Sequence, residues 1–170
     1  TQINPTRMEL TRQKKKLSTA LRGHKLLKDK RDELMRQFLN LVRENRRLRE
    51  KVEAGIAASN KDFALAKASV SDQVMNTALL APKQEVYLDI QKKNVMSVEV
   101  PEYHTATKTA NEGDIYSYGF ACTSFELDRA ISGLSKLLPD MLRLAQTEKA
   151  AELLAAEIEK TRRRVNALEH

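Results

Sequence analysis

One feature constrains this chain more than any other. From Leu27 the spacing runs Leu27, Arg31, Leu34, Phe38, Leu41, Asn45, Leu48, Val52. The steps alternate four and three without a fault, which is a heptad seam on a helix. Leu10, Leu17, Leu21 and His24 carry the stripe back towards the start. From Val52 it steps by four again to Ile56, a stutter that locally relaxes supercoiling. Ser59, Phe63, Ala66, Val70, Val74 and Thr77 continue it to about Leu80. Pro5 and Thr6 mark a helix start, and Pro82 ends the pattern. A helix over about 6–80 is too long to fold on itself and needs a partner.

The partner lies at the other end of the chain. Cys122, Phe125, Leu127, Ile131, Leu134, Leu137, Leu138, Met141 and Leu144 recur near the same spacing. Ala151, Leu154, Ile158, Thr161, Val165 and Leu168 extend it. The spacing predicts a second helix over 115–169, kinked at Pro139. Small residues at Gly119, Ala121, Cys122, Ser124 and Gly133 would let another helix come close.

Between the helices the period changes to two. Glu85 to Ile90 and Val95 to Val100 alternate with β-formers, and QKKN separates them. This predicts a small hairpin over 85–100, with Asn94 near the turn and Pro101 ending the second strand. Residues 101–114 show no period and read as a polar loop. The expected architecture is all-α dominated: a long antiparallel two-helix coiled coil with a β-hairpin at the turnaround, residues 1–170 forming one elongated unit. The seam residues expected are Leu27, Leu34, Phe38, Leu41, Leu48, Val52, Leu134, Met141, Leu154 and Ile158. The hairpin's apolar set is Val86, Leu88, Ile90, Val95, Val98 and Val100. In such a fold residue 170 lies opposite roughly residue 25, and residues 1–24 overhang.

Composition agrees with a rod. Charged residues make up 31% and aromatics 5%, and Trp is absent, which argues against a thick globular core. Charge is unevenly placed: residues 1–53 carry 16 Lys and Arg against 7 Asp and Glu, whereas residues 112–170 carry 8 against 10. The basic overhang keeps a leucine stripe, so it expects a partner offering both apolar surface and negative charge. Arg31 and Asn45 interrupt the stripe; they either fix the register or touch a further subunit.

Catalytic chemistry finds little to stand on. His24, His104 and His170 have no metal-ligand spacing, and there is no GxxxxGK[ST], GxGxxG or GxSxG. Cys122 is the one cysteine and reads as a small packed side chain; no base is placed near it. No run approaches the roughly 18 apolar residues of a membrane span. The expectation is no cofactor, no metal and a cytosolic location.

Two stretches then carry a resemblance. NPTRMEL followed by KKKLSTALRGHKLLKDKRDELMRQF, and SYGFACTSFELDRAISGLSKLLPDMLRLAQTEKAAELLAAEIEKTRRRVNALE, resemble the D subunit of rotary V-type and A-type ATPases. Among them the bacterial, enterococcal-type, sodium-pumping members are the most similar. The Arg22 to Leu34 run is the specific part, and the likeness is weakest over about 83–111. The family continues beyond the NALE stretch, which implies a continuation of the C-terminal helix past His170.

The resemblance implies a non-catalytic central rotor axle that couples ATP hydrolysis or synthesis to ion transport. Its implied partners are the catalytic A and B subunits of the hexamer, the F subunit as rotor partner, and the cap subunit of the membrane ring. It would be peripheral to the membrane, without insertion. Arg7, Lys14, Lys15, Lys16, Arg22, Lys25, Lys28 and Arg31 are the expected hexamer contacts. The F subunit is expected near Val42–Phe63 and Arg129–Ala151, and the hairpin is expected to regulate. The rival reading is a basic coiled-coil arm binding nucleic acid. Against it, Phe38 is the one aromatic in the basic third and sits in the seam, so no stacking platform is offered. A third reading is a homodimerising scaffold.

Overall fold

The computed structural model describes residues 6–108, 115–119 and 123–169. Five elements follow in order: α1 (Arg7–Ser69), α2 (Asp72–Leu79), β1 (Glu85–Val95), β2 (Val98–Lys108) and α3 (Phe125–Glu169). Thr6 caps α1 by accepting from the Glu9 N–H at 3.3 Å. At 1.5 Å per residue α1 is about 95 Å long.

The expected single helix over 6–80 is divided. Val70 turns extended, and Ser71 caps a new helix by accepting from the Val74 N–H at 3.5 Å. A β-branched residue followed by a capping serine gives the backbone a local alternative to helix. The short α2 then folds back to bury Met75 and Ala78 against Ala66 and Leu127.

α1 and α3 pack antiparallel. Ion pairs measure the register: Lys30 Nζ to Glu157 at 3.2 Å, Arg143 to Glu44 at 2.5 Å, Lys51 to Asp140 at 2.6 Å and Arg129 to Asp62 at 2.5 Å. His24 meets Glu169 at 3.0 Å, which sets the last described turn of α3 beside residue 24 of α1. Leu34, Leu48, Val52, Leu154 and Ile158 are buried in the seam; Leu27, Phe38 and Leu41 are half-buried.

Leu134 and Met141 correct the expectation. They are 45% and 37% exposed, and Leu127, Ala130 and Leu137 are buried instead. The seam runs through Gly133, where a Cβ would lie 2.8 Å from Ser59 Oγ. A side chain there would have to displace the Ser59 hydroxyl, and the large neighbour Leu134 is turned outward. Phe63 is likewise exposed, and Asp62 takes the buried place.

The hairpin is longer than expected and turns later. β1 continues through the QKKN stretch to Val95, and the turn is Met96–Ser97, both at positive φ (52° and 71°). Two left-handed residues make the type I′ turn whose twist matches the strands. Asn94 Oδ1 accepts from the Ser97 N–H at 2.9 Å and holds it. β2 does not end at Pro101 but runs to Lys108, so part of the expected 101–114 loop is strand. Val95 pairs with Val98 across the turn, and Lys92 with Pro101. Alternation from the closing pair turns the Pro101 nitrogen away from β1, where no ladder bond is lost.

α3 begins at Phe125 rather than 115. Ser124 Oγ accepts from the Leu127 N–H at 3.4 Å, with Glu126 and Asp128 in the first turn. Residues 115–119 are irregular and lie against α2: Ser117 Oγ donates to the Ala78 carbonyl at 2.8 Å, and Tyr118 donates to Asp128 at 2.7 Å. The helix continues through Pro139 to Glu169. Cys122, Ala121 and His170 lie outside the described residues.

Candidate functional site

The structure offers surfaces. Among the described residues no three His, Cys, Asp or Glu side chains are grouped to hold a metal ion, and no helix is long and apolar enough to cross a membrane. His24 is used in the pair with Glu169, and His104 stands exposed on β2.

The first surface is the N-terminal part of α1. Met8, Leu10, Leu17, Leu21 and Leu26 are all more than half exposed, with no helix of this chain across from the first four among the described residues. Interleaved with them, Arg7, Lys14, Lys15, Lys16, Arg22, Lys25 and Lys28 are exposed and make no ion pair among the described residues. Arg31 differs from that set. Its Nε and Nη2 donate to Asp32 at 3.0 and 2.7 Å, so its charge is met on its own helix.

Next along α1 the charge is locally balanced. Glu33 accepts from Arg36 at 2.6 and 2.8 Å and from Gln37 at 2.9 Å. Those donors hold the Glu33 carboxyl down to about 2, the Arg36 hydrogen bonds being the largest cause. Arg49 is bound to Glu148 across the helices and is held protonated beyond its usual range by that carboxylate.

α3 adds cations that periodicity does not single out. Arg162 and Arg164 are exposed and form no ion pair among the described residues, whereas Arg163 is bound to Glu159. The register set by Lys30–Glu157 and His24–Glu169 brings them level with the Lys25–Lys28 part of α1. The run TRRRV is the available signal. A heptad count misses it because it registers apolar positions and passes over the flanks.

The second surface is the hairpin. Val98 and Val100 are buried against Leu34, Ala150, Leu154 and Ile158, with Val95 and Met96 half-covered. The Tyr103 N–H donates to Gln146 Oε1 at 3.1 Å, tying β2 to α3. A cleft of about 320 Å³ runs between hairpin and rod, floored by Leu41, Ala150 and Leu154 and edged by Glu44, Lys93 and Glu102. Val86, Leu88 and Ile90, expected in one apolar set with Val95, Val98 and Val100, are separated from them. They are exposed on β1.

The third surface is the foot of the rod, around α2. An open groove of about 530 Å³ there is lined by Gln73, Val74, Thr77, Tyr118 and Thr123. Burial and the bond to Asp128 both push the Tyr118 hydroxyl above its ordinary range.

The arrangement offers surfaces for contact rather than an enclosed catalytic site among the described residues. Comparison with known proteins agrees on one family. The family model for the ATP synthase D subunit matches residues 9–170. The V-type ATP synthase D subunit of Acetivibrio thermocellus is 61% identical over 99% of this chain and 76% of its own length. Those of Clostridioides difficile and Clostridium novyi are 56% and 54% identical, each over 99% of this chain and over 75% and 78% of their own lengths. None of these names supports the nucleic-acid reading.

Proposed function

This chain belongs to the family of ATP synthase D subunits, and on that premise we propose that it is the non-catalytic central axle of a rotary ATPase. The observation that carries the reading is the asymmetric rod: two antiparallel helices joined by cross-helix ion pairs, with basic residues and exposed leucines concentrated towards the start of α1. In a ring of A and B subunits each catalytic interface would meet a different face of such a rod. Unequal contact energies then favour different nucleotide states at the interfaces, and a change of state drives the rod onward. The coupling is reciprocal, so hydrolysis turns the rod and forced rotation makes ATP.

Cross-helix ion pairs and the packed seam would stiffen the shaft, so that torque passes along it rather than unwinding it. Arg7, Lys14–Lys16, Arg22, Lys25 and Lys28 are proposed to face acidic surface in the hexamer, with Arg162 and Arg164 alongside. Arg31 is proposed with them, its contact shared with Asp32. The F subunit is proposed on the middle of the rod, where Phe63, Leu134 and Met141 are turned outward. The foot is proposed to dock on the cap of the membrane ring, keeping the protein peripheral on the cytoplasmic side. The hairpin is proposed to regulate turnover.

Charge reversal at Lys14–Lys16, Lys25 and Lys28 tests the hexamer face. Assembly with A and B subunits and coupled ATPase should both fall; unchanged values would remove that face from the reading. Deleting the hairpin should alter ATPase activity while the helices still pair. Size-exclusion with light scattering, alone and with the F subunit, separates a rotor heterodimer from a scaffold.

A further inference from the structure

The two edges of the hairpin are treated differently. The closing pair Val95–Val98 exchanges hydrogen bonds, and alternation gives the same role to residues 93, 91, 89, 87 and 85. The N–H and C=O of Val86, Leu88, Ile90, Lys92 and Asn94 therefore point away from β2. On the other strand the outward N–H of Tyr103 is taken by Gln146 of α3, and Pro101 has none to offer. The β2 edge is tied to the rod at Tyr103 and is exposed over residues 104–108, while β1 is exposed from Glu85 to Asn94 with no element beside it among the described residues.

An open edge of this length is a template for another strand, and folds commonly blunt it with charge, proline or cover. Here Val86, Leu88 and Ile90 stand exposed on the face opposite Val98 and Val100. Charge along the strand is polar in direction: Glu85 and Asp89 lie towards one end, Lys92 and Lys93 towards the other. An antiparallel copy of the same strand inverts that order.

We propose that the free β1 edge pairs antiparallel with β1 of a second copy of this chain, about a two-fold axis at Gln91. That register sets Asp89 against Lys93 of the second copy, twice by symmetry. It exchanges backbone bonds between Ile90 and Lys92 and between Leu88 and Asn94. An axis at Asp89 would set two carboxylates face to face, and one at Ile90 would offer Asp89 only Gln91. The two apolar rows then join on one face of a four-stranded sheet, and the two rods lie outside it, along the β2 edges. The contact is isologous and closes at two. It belongs to the free protein before assembly and does not depend on the rotor reading.

The test is sedimentation of the full chain over a concentration series. The chain should pass from monomer to dimer, and deletion of 85–108 should leave a monomer. Ile90→Pro removes an outward N–H and spares the β1–β2 ladder, so it should weaken association about tenfold or more, two symmetric bonds being lost. Asp89→Lys and Lys93→Asp should each weaken the dimer, and the double exchange should restore it. Helicity and the Tyr103 amide signal check that each variant stays folded. A chain that stays monomeric throughout, a dimer that survives the deletion, or a double exchange that restores nothing would each overturn the pairing. So would protection of the Leu88 and Ile90 amides that appears only when a different protein is added.

Discussion

Gly55 of α1 faces Leu137 of α3 so closely that a Cβ on the glycine would lie 2.7 Å from Leu137 Cδ1 and 2.9 Å from Cδ2. Gly133 repeats the relationship one turn away, against Ser59. Each glycine thus receives a side chain from the other helix.

Gly55→Ala should therefore destabilise the rod. Alanine gains about 1 kcal/mol in helix propensity, but overpacking a filled site costs about 1–3 kcal/mol. Adding Leu137→Ala should recover part of the loss. Gly23→Ala is the control, because a Cβ there meets only Leu168 at 4.0 Å. It should raise stability by up to about 1 kcal/mol. Thermal melts of the three variants decide it.

Asp62 is 8% exposed and is held by Arg129, which donates from Nε at 3.2 Å and Nη2 at 2.5 Å. Arg129→Met should cost about 2 kcal/mol by leaving a buried carboxylate alone, less than for a fully buried pair because the Arg129 side chain is 57% exposed. Asp62→Leu with Arg129→Met should return most of it. Urea unfolding measures both.

Thr161 is 1% exposed, and its hydroxyl has no hydrogen-bond partner among the described residues. Thr161→Val keeps the shape and removes the unmet polar group, so it should stabilise by about 1 kcal/mol. A lower melting temperature would mean that the hydroxyl is satisfied in solution.

Glu33 and Tyr118 are displaced furthest from their ordinary ranges and contribute at opposite ends of the pH scale. The Glu33 carboxyl is depressed from 4.5 to about 2, so its contribution is present above 4.5 and is lost as pH falls towards 2. A carboxyl carbon titration by NMR should show Glu33 ionised at pH 3.5, and Arg36→Ala should return it to the ordinary range. Tyr118 is raised from 10, so its contribution is whole below 10 and is lost as pH rises beyond that. Tyr118→Phe should remove the latest-ionising phenol from an ultraviolet titration.

The heptad pattern reveals both long helices, and the turnaround between them gives their opposed directions. The polarity of the shaft is legible too, since charge is written directly in the residue types. The hairpin is legible as two alternating runs, but its turn is not. QKKN has turn composition, yet the Val95–Val98 pair packing on Leu34 and Leu154 holds Met96 and Ser97 at positive φ instead. Pro101 resembles a stop because residue order does not say which way its nitrogen faces.

The sequence by itself determined a long, unevenly charged pair of helices with a small sheet between them, and residues that show its family. Periodicity and charge are local properties, and a stripe repeats whether or not its partner is in view. Only the tertiary structure decided which residue of each turn lies inward. It put Gly133 in the seam and Leu134 outside, Asp62 inside and Phe63 outside, and left one edge of the hairpin open. Those outcomes depend on how near two distant segments come, and that distance is set by both surfaces at once.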